Sequence, residues 1–288
     1  MNAKKWLSKN TSSLQGKTVA VTGSTGGIGR ELCRHLAMLG ADLVLLDRNP
    51  ERSEKHKDEL KKHYGINVNC ITTELEDTQS VINAARNIEK MGIDALILNA
   101  GAYKIPRHEC STGYDNIFQI NFASPLLLVK ELLPHLRQTN GKIIAVSSIA
   151  HRYSKVDASD IDFKARKSCA LAYGNSKRFL TFSLYELFKS EDKVTLSITH
   201  PGITLTNITS HYPKIIFALI KNPMKIIFMS PNKASLCVLK GVFEPCSENE
   251  WIGPRLFDIW GKPKKKRLRP LSSAELEVIS TVSGSIEK

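Results

Sequence analysis

The sequence lacks the features that mark several broad classes of protein. Its six cysteines are scattered and contain no Cys-x-x-Cys pair, which argues against a disulfide framework and against a zinc site, so no metal is expected. No run of about 18 apolar residues is present to span a bilayer, and the N-terminal residues lack the apolar stretch of a signal peptide. These absences predict a cytoplasmic protein with reduced thiols, at most attached to a membrane surface.

Positive charge is the property in excess, with 41 Lys and Arg against 28 Asp and Glu and a net charge of +13. Much of it is dispersed, as over residues 51–62, where acidic and basic side chains interleave as on a solvated helix. One basic block, residues 264–269, lies between Pro263 and Pro270. Because no nucleic-acid motif accompanies it, we interpret the block as an exposed basic loop and expect no nucleic acid partner.

Short apolar runs alternate with longer stretches of helical period along most of the 288 residues. This alternation predicts a single α/β domain, with a doubly wound parallel sheet and helices on both faces. Ligands of such folds lie outside the carboxyl ends of the strands. The predicted strands are 17–21, 42–46, 67–71, 93–98, 142–146 and 194–198, and the predicted helices are 29–39, 51–63, 78–91, 116–136 and 169–189.

A glycine-rich turn, Thr22-Gly-Ser-Thr-Gly-Gly-Ile-Gly29, lies between the first predicted strand and the first of these helices. Gly23 permits a tight turn, Gly27 allows the backbone to approach a pyrophosphate, and Gly29 lets the helix pack on the strand. The helix N-terminus then faces the anion. The turn in this position predicts a Rossmann-type dinucleotide site.

Tyr173 and Lys177 lie four residues apart on a predicted helix, so their side chains share one face. A free tyrosine titrates near ~10, too high for ready proton exchange at neutral pH. A neighbouring ammonium favours the phenolate and lowers the pKa of the tyrosine. The pair therefore predicts a proton donor.

The spacing of the three glycines resembles that of the short-chain dehydrogenase/reductase family, and further motifs follow in the order of that family. The resemblance extends from about Leu14 to Gly261, and the interval from Ser148 to Tyr173 is most similar to the retinol dehydrogenase-like branch. The further motifs are Asn99-Ala-Gly101, Asn121, Ser147-Ser148, Tyr173 with Lys177, and His200-Pro-Gly202.

The resemblance implies an NAD(P)-dependent enzyme that acts on a hydrophobic alcohol or carbonyl. Tyr173 would exchange a proton with the substrate oxygen, which Ser148 would also hydrogen-bond. Lys177 would lower the pKa of Tyr173 and hold the nicotinamide ribose, and Asn121 would anchor a water that relays protons. A regulatory or scaffold protein that binds a dinucleotide without catalysis is the alternative.

Two adjacent residues bear on the choice of cofactor. Asp47 stands where members that prefer NAD carry an acid that bonds the adenosine ribose, whereas Arg48 resembles the phosphate-binding arginine of members that prefer NADP. NAD is favoured, with NADP as the alternative. The other residues expected to contact the cofactor are Ser24, Thr25, Ile28, Glu74, Leu75, Ala100, Pro201, Gly202, Ile203 and Thr206.

Two further segments complete the expectations. Residues 203–229 are apolar with interspersed lysines and are interpreted as a lid over a lipophilic pocket, with core packing, a subunit interface or a membrane contact as alternatives. Residues 262–288 are interpreted as a basic C-terminal extension. His151 and His200 are expected to be structural or to lie at the rim, and a homo-oligomer is expected.

Overall fold

A computed structural model describes residues 3–204 and 228–286. The strands are β1 (Thr18–Thr22), β2 (Asp42–Asp47), β3 (Val68–Thr72), β4 (Ala95–Leu98), β5 (Lys142–Val146), β6 (Thr195–Thr199), β7 (Glu250–Leu256) and β8 (Trp260–Arg267). The helices are α1 (Ala3–Asn10), α2 (Gly27–Met38), α3 (Pro50–Tyr64), α4 (Thr78–Met91), α5 (Asn116–Phe118), α6 (Ser124–Thr139), α7 (Cys169–Phe188), α8 (Pro231–Phe243) and α9 (Ser273–Ser285). A π-helical turn (Gln119–Ala123) joins α5 to α6, and a 3₁₀ segment (Ile149–Arg152) follows β5.

The strands form one eight-stranded sheet in the order β3-β2-β1-β4-β5-β6-β7-β8 within the described residues. All neighbouring pairs are parallel except β7 and β8, which pair antiparallel. The predicted doubly wound fold is confirmed. Since the strand order reverses between β1 and β4, their carboxyl ends border the crevice in which such folds bind ligands.

Helices cover both faces of the sheet, and the core lies in two layers. On one face α2 and α8 contribute Leu32, Leu36 and Leu239, packed against β1, β2 and β5. On the other face α4, α6, α7 and α9 form the second layer, which includes Phe122 and Phe179. No helix among the described residues is long and apolar enough to cross a bilayer.

The basic block was interpreted as an exposed loop, and that interpretation is wrong. Residues 264–267 belong to β8, which pairs with β7 at the edge of the sheet. Pro263 lies opposite Pro254 in this pair. An edge strand tolerates proline because its outer side needs no backbone donor, and its lysines keep other strands from pairing with it.

Helix α9, which follows β8, packs on the core. Ile279 and Val282 of α9 are buried in the same layer as α7. Glu275 accepts hydrogen bonds from the Arg178 guanidinium on α7, at 2.7 Å from Nη2, and from the backbone N–H of Val156. Arg178 also donates to the carbonyl oxygen of His151 at 2.9 Å. Helix α9 therefore braces the helix that carries Tyr173 and Lys177.

Candidate active site

A cavity of about 730 Å³ opens at the carboxyl ends of the parallel strands. It extends from the glycine turn and the end of β2, past the end of β4, to the start of α7 and the residues after β6. The structure brings most of the residues expected from the sequence to its walls. These are Gly23, Thr25, Gly27, Ile28, Gly29, Asp47, Arg48, Glu74, Leu75, Asn99, Ala100, Gly101, Ser148, Tyr173, Lys177, Pro201, Gly202 and Ile203.

The glycine turn forms one end of the cavity and suits a pyrophosphate. Gly26 caps α2 without any side-chain hydrogen bond, so the first backbone N–H groups of the helix are left for a ligand. Gly23 has a φ of +64°, which glycine adopts readily. A Cβ at Gly29 would lie 2.1 Å from the carbonyl oxygen of Gly23, so only glycine allows the helix to approach the turn this closely.

The carboxylate of Asp47 is buried and holds the glycine turn in place. It accepts hydrogen bonds from the Ser24 hydroxyl, from the Thr25 hydroxyl at 3.0 Å and from the Thr25 backbone N–H at 3.2 Å. The Ser53 hydroxyl donates a further bond at 3.4 Å. Ser24 is thus buried beneath the turn rather than on the cavity wall. The sequence did not indicate this anchoring, because its donors come from three separate positions.

The carboxyl end of β3 forms the adjoining wall through Glu74 and Leu75. Beside it, and among the described residues, Glu76, His108 and Cys110 place possible metal-ligand atoms within 4.8 Å of one another. A hydrogen bond of 2.8 Å between His108 Nε2 and the Glu76 carboxylate accounts for two of them. Burial raises the pKa of Cys110 to about 11, which favours the neutral thiol. Groups of this kind are common without an ion, so the cluster by itself carries no metal assignment.

Ser148, Tyr173 and Lys177 meet at the opposite end of the cavity. Ser148 caps the 3₁₀ segment after β5, where its hydroxyl accepts from the Ala150 N–H at 3.2 Å. Ser168 caps α7 and so fixes the start of the helix that carries the other two residues. The Lys177 ammonium donates to the carbonyl oxygen of Val146 at 2.8 Å and lies 5.9 Å from the centre of the Tyr173 ring.

Asn121 lies behind the cavity wall, in the π-helical turn that interrupts the predicted helix 116–136. Its side-chain amide donates to the carbonyl oxygens of Ala102 and Ile117 at 2.9 and 2.8 Å, and its oxygen accepts from the Ala102 N–H. A Cβ at Gly101 would lie 2.8 Å from Asn121 Oδ1 and 3.5 Å from Lys177 Nζ. Gly101 therefore allows the asparagine and the lysine to lie close together.

The expected lowering of the Tyr173 pKa is wrong for this structure. Burial raises the pKa of Tyr173 to about 12, although a hydrogen bond with the Ser148 side chain acts in the opposite direction. Burial also lowers the pKa of Lys177 to about 8. The cost of burying a charged group is the largest cause of both shifts, and the Lys177 ammonium is directed at the carbonyl oxygen of Val146. As a result, the phenol of Tyr173 is neutral, and Lys177 loses its proton more easily than a free lysine.

His151, His200 and Ser147 have structural contacts near the site, as expected from the sequence for the two histidines. His151 donates from Nδ1 to the carbonyl oxygen of Ser148 at 2.6 Å, and His200 donates from Nε2 to that of Asp258 at 2.8 Å. Burial lowers the pKa of each histidine to about 4, so both are neutral. The Ser147 hydroxyl bonds that of Thr181 at 2.6 Å.

Sequence reasoning missed the apolar side chains around the catalytic end of the cavity. Tyr103 packs edge-on against the Tyr173 ring, with 5.1 Å between ring centres. Ile105, Pro106, Ile149 and Tyr153 also line the cavity. Residues 103–106 follow closely after the Asn-Ala-Gly motif, and this position in the sequence could have indicated that they line the cavity. Thr206 and the lid residues 205–227 lie outside the described residues.

The glycine turn, the cavity and the Ser-Tyr-Lys cluster define a dinucleotide-binding oxidoreductase. A sequence profile described as short chain dehydrogenase matches residues 17–214. The chain belongs to the short-chain dehydrogenase/reductase family, as the resemblance implied, and is an NAD(P)-dependent dehydrogenase or reductase.

Similar proteins include two mammalian enzymes and one solved structure. Retinol dehydrogenase 12 of Mus musculus is 30% identical over 244 residues, which cover 81% of this chain and 77% of that protein. Polyprenol dehydrogenase of Mus musculus is 27% identical over 252 residues, which cover 83% of this chain and 75% of that protein. An uncharacterised protein from Mycobacterium paratuberculosis has a TM-score of 0.77 at 21% identity, with 96% of each chain covered. The expected similarity to the retinol dehydrogenase-like branch is confirmed.

Proposed function

We propose that the protein interconverts a hydrophobic alcohol and its carbonyl compound, with Tyr173 as the general acid and base. The observation that carries the proposal is the meeting of Ser148, Tyr173 and Lys177 at the apolar end of a cavity whose other end is a pyrophosphate turn. The residues suit a nicotinamide dinucleotide, because the glycine turn leaves the first N–H groups of α2 for a pyrophosphate and the cavity joins this turn to the Ser-Tyr-Lys cluster.

Each residue has a distinct role at the substrate oxygen. In the reducing direction Tyr173 donates its phenolic proton to that oxygen, and in the oxidising direction it accepts the proton back. Ser148 hydrogen-bonds the same oxygen and orients it. Lys177 holds the ribose and supports the negative charge that remains on Tyr173. When bound, the nicotinamide supplies or accepts the hydride.

The substrate that we propose is an isoprenoid-type alcohol or its aldehyde. Two similar proteins are named for retinol and polyprenol, which are both apolar chains that end in an alcohol. The side chains of Tyr103, Ile105, Pro106, Ile149 and Tyr153 would bury such a chain beside the phenol. A polar substrate would leave these side chains without suitable partners.

The direct test is a screen of alcohols and carbonyls by nicotinamide absorbance, with NAD and NADP in parallel. Retinol, a short polyprenol, steroid alcohols and a polar sugar alcohol should be compared at equal concentration. We expect turnover with the isoprenoid substrates and none with the sugar alcohol. Tight dinucleotide binding without turnover of any substrate would instead support the non-catalytic alternative.

Lys177 should set a pH limit on carbonyl reduction. Because the pKa of Lys177 is lowered to about 8, its ammonium is charged below that pH and neutral above it. We expect kcat/KM for reduction to fall as the pH rises through about 8. In Lys177→Arg the guanidinium stays charged, so that fall should vanish even if the maximal rate is lower. Lys104 also lines the cavity, and the Lys104→Gln variant should keep the fall in kcat/KM. If the fall persisted in Lys177→Arg, Lys177 would not be its cause.

Asp47 and Arg48 should oppose each other in cofactor choice, with NAD preferred in the wild type. Asp47→Ala removes a negative charge that would repel a 2′-phosphate, so kcat/KM should shift toward NADP by about tenfold or more. Both cofactors should also bind more weakly, because the turn at Ser24 and Thr25 loses its anchor. Ser53→Ala removes one neutral donor and should leave the ratio unchanged. An unmoved ratio in Asp47→Ala would restrict Asp47 to holding the turn.

A further inference from the structure

The turn between β7 and β8 places three large apolar side chains in solvent. Leu256, Phe257 and Trp260 are 44%, 89% and 46% exposed. Single apolar side chains on a surface are ordinary, but three on one turn form a patch. We name residues 255–264 the hairpin tip.

The backbone of the hairpin tip is unusual for the side chain that it presents. Phe257 and Asp258 have φ values of +50° and +59°, and the Ile259 N–H donates to the carbonyl oxygen of Leu256 at 3.0 Å. Asn and Gly are preferred in such a turn, and a bulky side chain at positive φ is strained. Phe257 is therefore exposed at a strained backbone position, and packing among the described residues does not explain it.

The hairpin tip is held firmly against the rest of the protein. The Asp258 carboxylate lies 3.3 Å from the Arg152 guanidinium and 2.7 Å from the Lys266 ammonium. Its carbonyl oxygen accepts from His200. Asp258 is buried, so these contacts point inward while Phe257 points outward. The apolar side chains are thus presented on a fixed support.

The charge around the hairpin tip is positive. Arg255, Lys262 and Lys264 are exposed, and Asp258, the one acid between residues 255 and 264, is buried and paired. Protection of an edge strand accounts for the lysines but not for the aromatic side chains. Exposed aromatic rings flanked by basic residues are typical of surfaces that seat on anionic lipid.

The hairpin tip also lies beside the cavity. Strand β7 runs parallel to β6, so its carboxyl end is on the ligand edge of the sheet. A Cβ at Gly202, which lines the cavity, would lie 2.7 Å from the carbonyl oxygen of Ile259 and 2.9 Å from Cγ of Pro254. A membrane or other surface that binds the hairpin tip would therefore lie next to the side of the cavity formed by Gly202.

We propose that the hairpin tip docks the protein on an anionic lipid surface. Phe257 and Trp260 enter the boundary between headgroups and acyl chains, and Arg255, Lys262 and Lys264 contact the headgroups. The docking itself is independent of the reaction. The purpose that we give to the docking, which is to bring the cavity to a substrate dissolved in the membrane, rests on the proposed function.

Tryptophan fluorescence offers a direct test, because Trp260 is exposed whereas Trp6 and Trp251 are buried. Vesicles of phosphatidylcholine with and without phosphatidylserine should be titrated into the whole protein. We expect a blue shift and co-sedimentation with the anionic vesicles, both weakened by salt. Absence of binding to the anionic vesicles would overturn the proposal.

Variants assign the binding to the hairpin tip. Phe257→Asn suits the positive φ, and Trp260→Thr suits a strand, so the double variant should fold. Its affinity for anionic vesicles by co-sedimentation should fall by at least about tenfold, whereas Met91→Gln, an exposed apolar residue on α4, should bind as wild type. Equal binding by the double variant would place the contact elsewhere and overturn the proposal.

Two further measurements separate lipid docking from self-association and from a role in the active site. Sedimentation velocity without lipid should give the same mass for wild type and the double variant. A smaller mass for the variant would make the hairpin tip a contact between copies of the chain and overturn the lipid proposal.

Dinucleotide affinity and turnover of a water-soluble carbonyl should not change in the double variant. Loss of either would mean that the hairpin tip supports the site itself, against a separate docking role.

Discussion

Replacing Tyr173 by phenylalanine is expected to lower kcat by about 10²- to 10⁴-fold, the usual contribution of a positioned acid and base. The change removes the hydroxyl and keeps the ring that packs against Tyr103 at 5.1 Å. The dissociation constant of the dinucleotide should therefore stay close to that of wild type. Steady-state kinetics with a titration of cofactor binding measures both effects.

Tyr103→Phe is the matched control for this prediction. It removes a phenol in contact with Tyr173, and it should leave kcat within a few-fold of wild type because Tyr103 has no proton to deliver in the proposed reaction. If Tyr173→Phe retained activity within about tenfold of wild type, another group would have to supply the proton. Tyr173 would then lose its role as acid and base.

Gly174→Ala is expected to damage the site although alanine is the better helix former. Gly174 lies in α7 between Tyr173 and Lys177, and a Cβ there would be 2.4 Å from the backbone carbonyl oxygen of Ala150. Helix α7 would have to move away from the 3₁₀ segment that follows Ser148. We expect a loss of stability of about 1–3 kcal/mol and a fall in kcat/KM of about 10²-fold.

Gly284→Ala provides the control, since it makes the same change in a helix where no heavy atom lies within 4 Å of the new Cβ. It should raise the stability by about 0.5–1 kcal/mol and leave kinetics unchanged. Thermal unfolding and kcat/KM of both variants would decide the matter. A Gly174→Ala protein with the melting temperature and activity of wild type would contradict the close packing of α7.

The sequence predicts the first six strands because each contains short apolar stretches, and all of them except the edge strand β3 are almost wholly buried between the helix layers. Strands β7 and β8 were not predicted, because the same reasoning does not apply to them. Gly253 and Pro254 interrupt the apolar pattern of β7, and the lysines of β8 resemble a loop. Their pairing at the edge of the sheet depends on a neighbour, which no local pattern reveals.

The candidate site shows the same division. Residue type and spacing identify Tyr173 and Lys177, because helical periodicity brings them to one face. The direction of the Tyr173 pKa depends on how many atoms surround the phenol, and that is decided by the packing of the whole fold. The donors that hold Asp47 come from Ser24, Thr25 and Ser53, which only the folded chain brings together.

The bond between Glu275 and Arg178 has a consequence for the order of events during synthesis. Arg178 of α7 is synthesised 97 residues before Glu275, since the two partners are 97 positions apart. A nascent chain that ends before α9 lacks the acceptor for Arg178 and for the Val156 N–H. The segment between Ser148 and Tyr173 therefore lacks this brace until Glu275 has also left the ribosome, and the catalytic end of the cavity gains these contacts late.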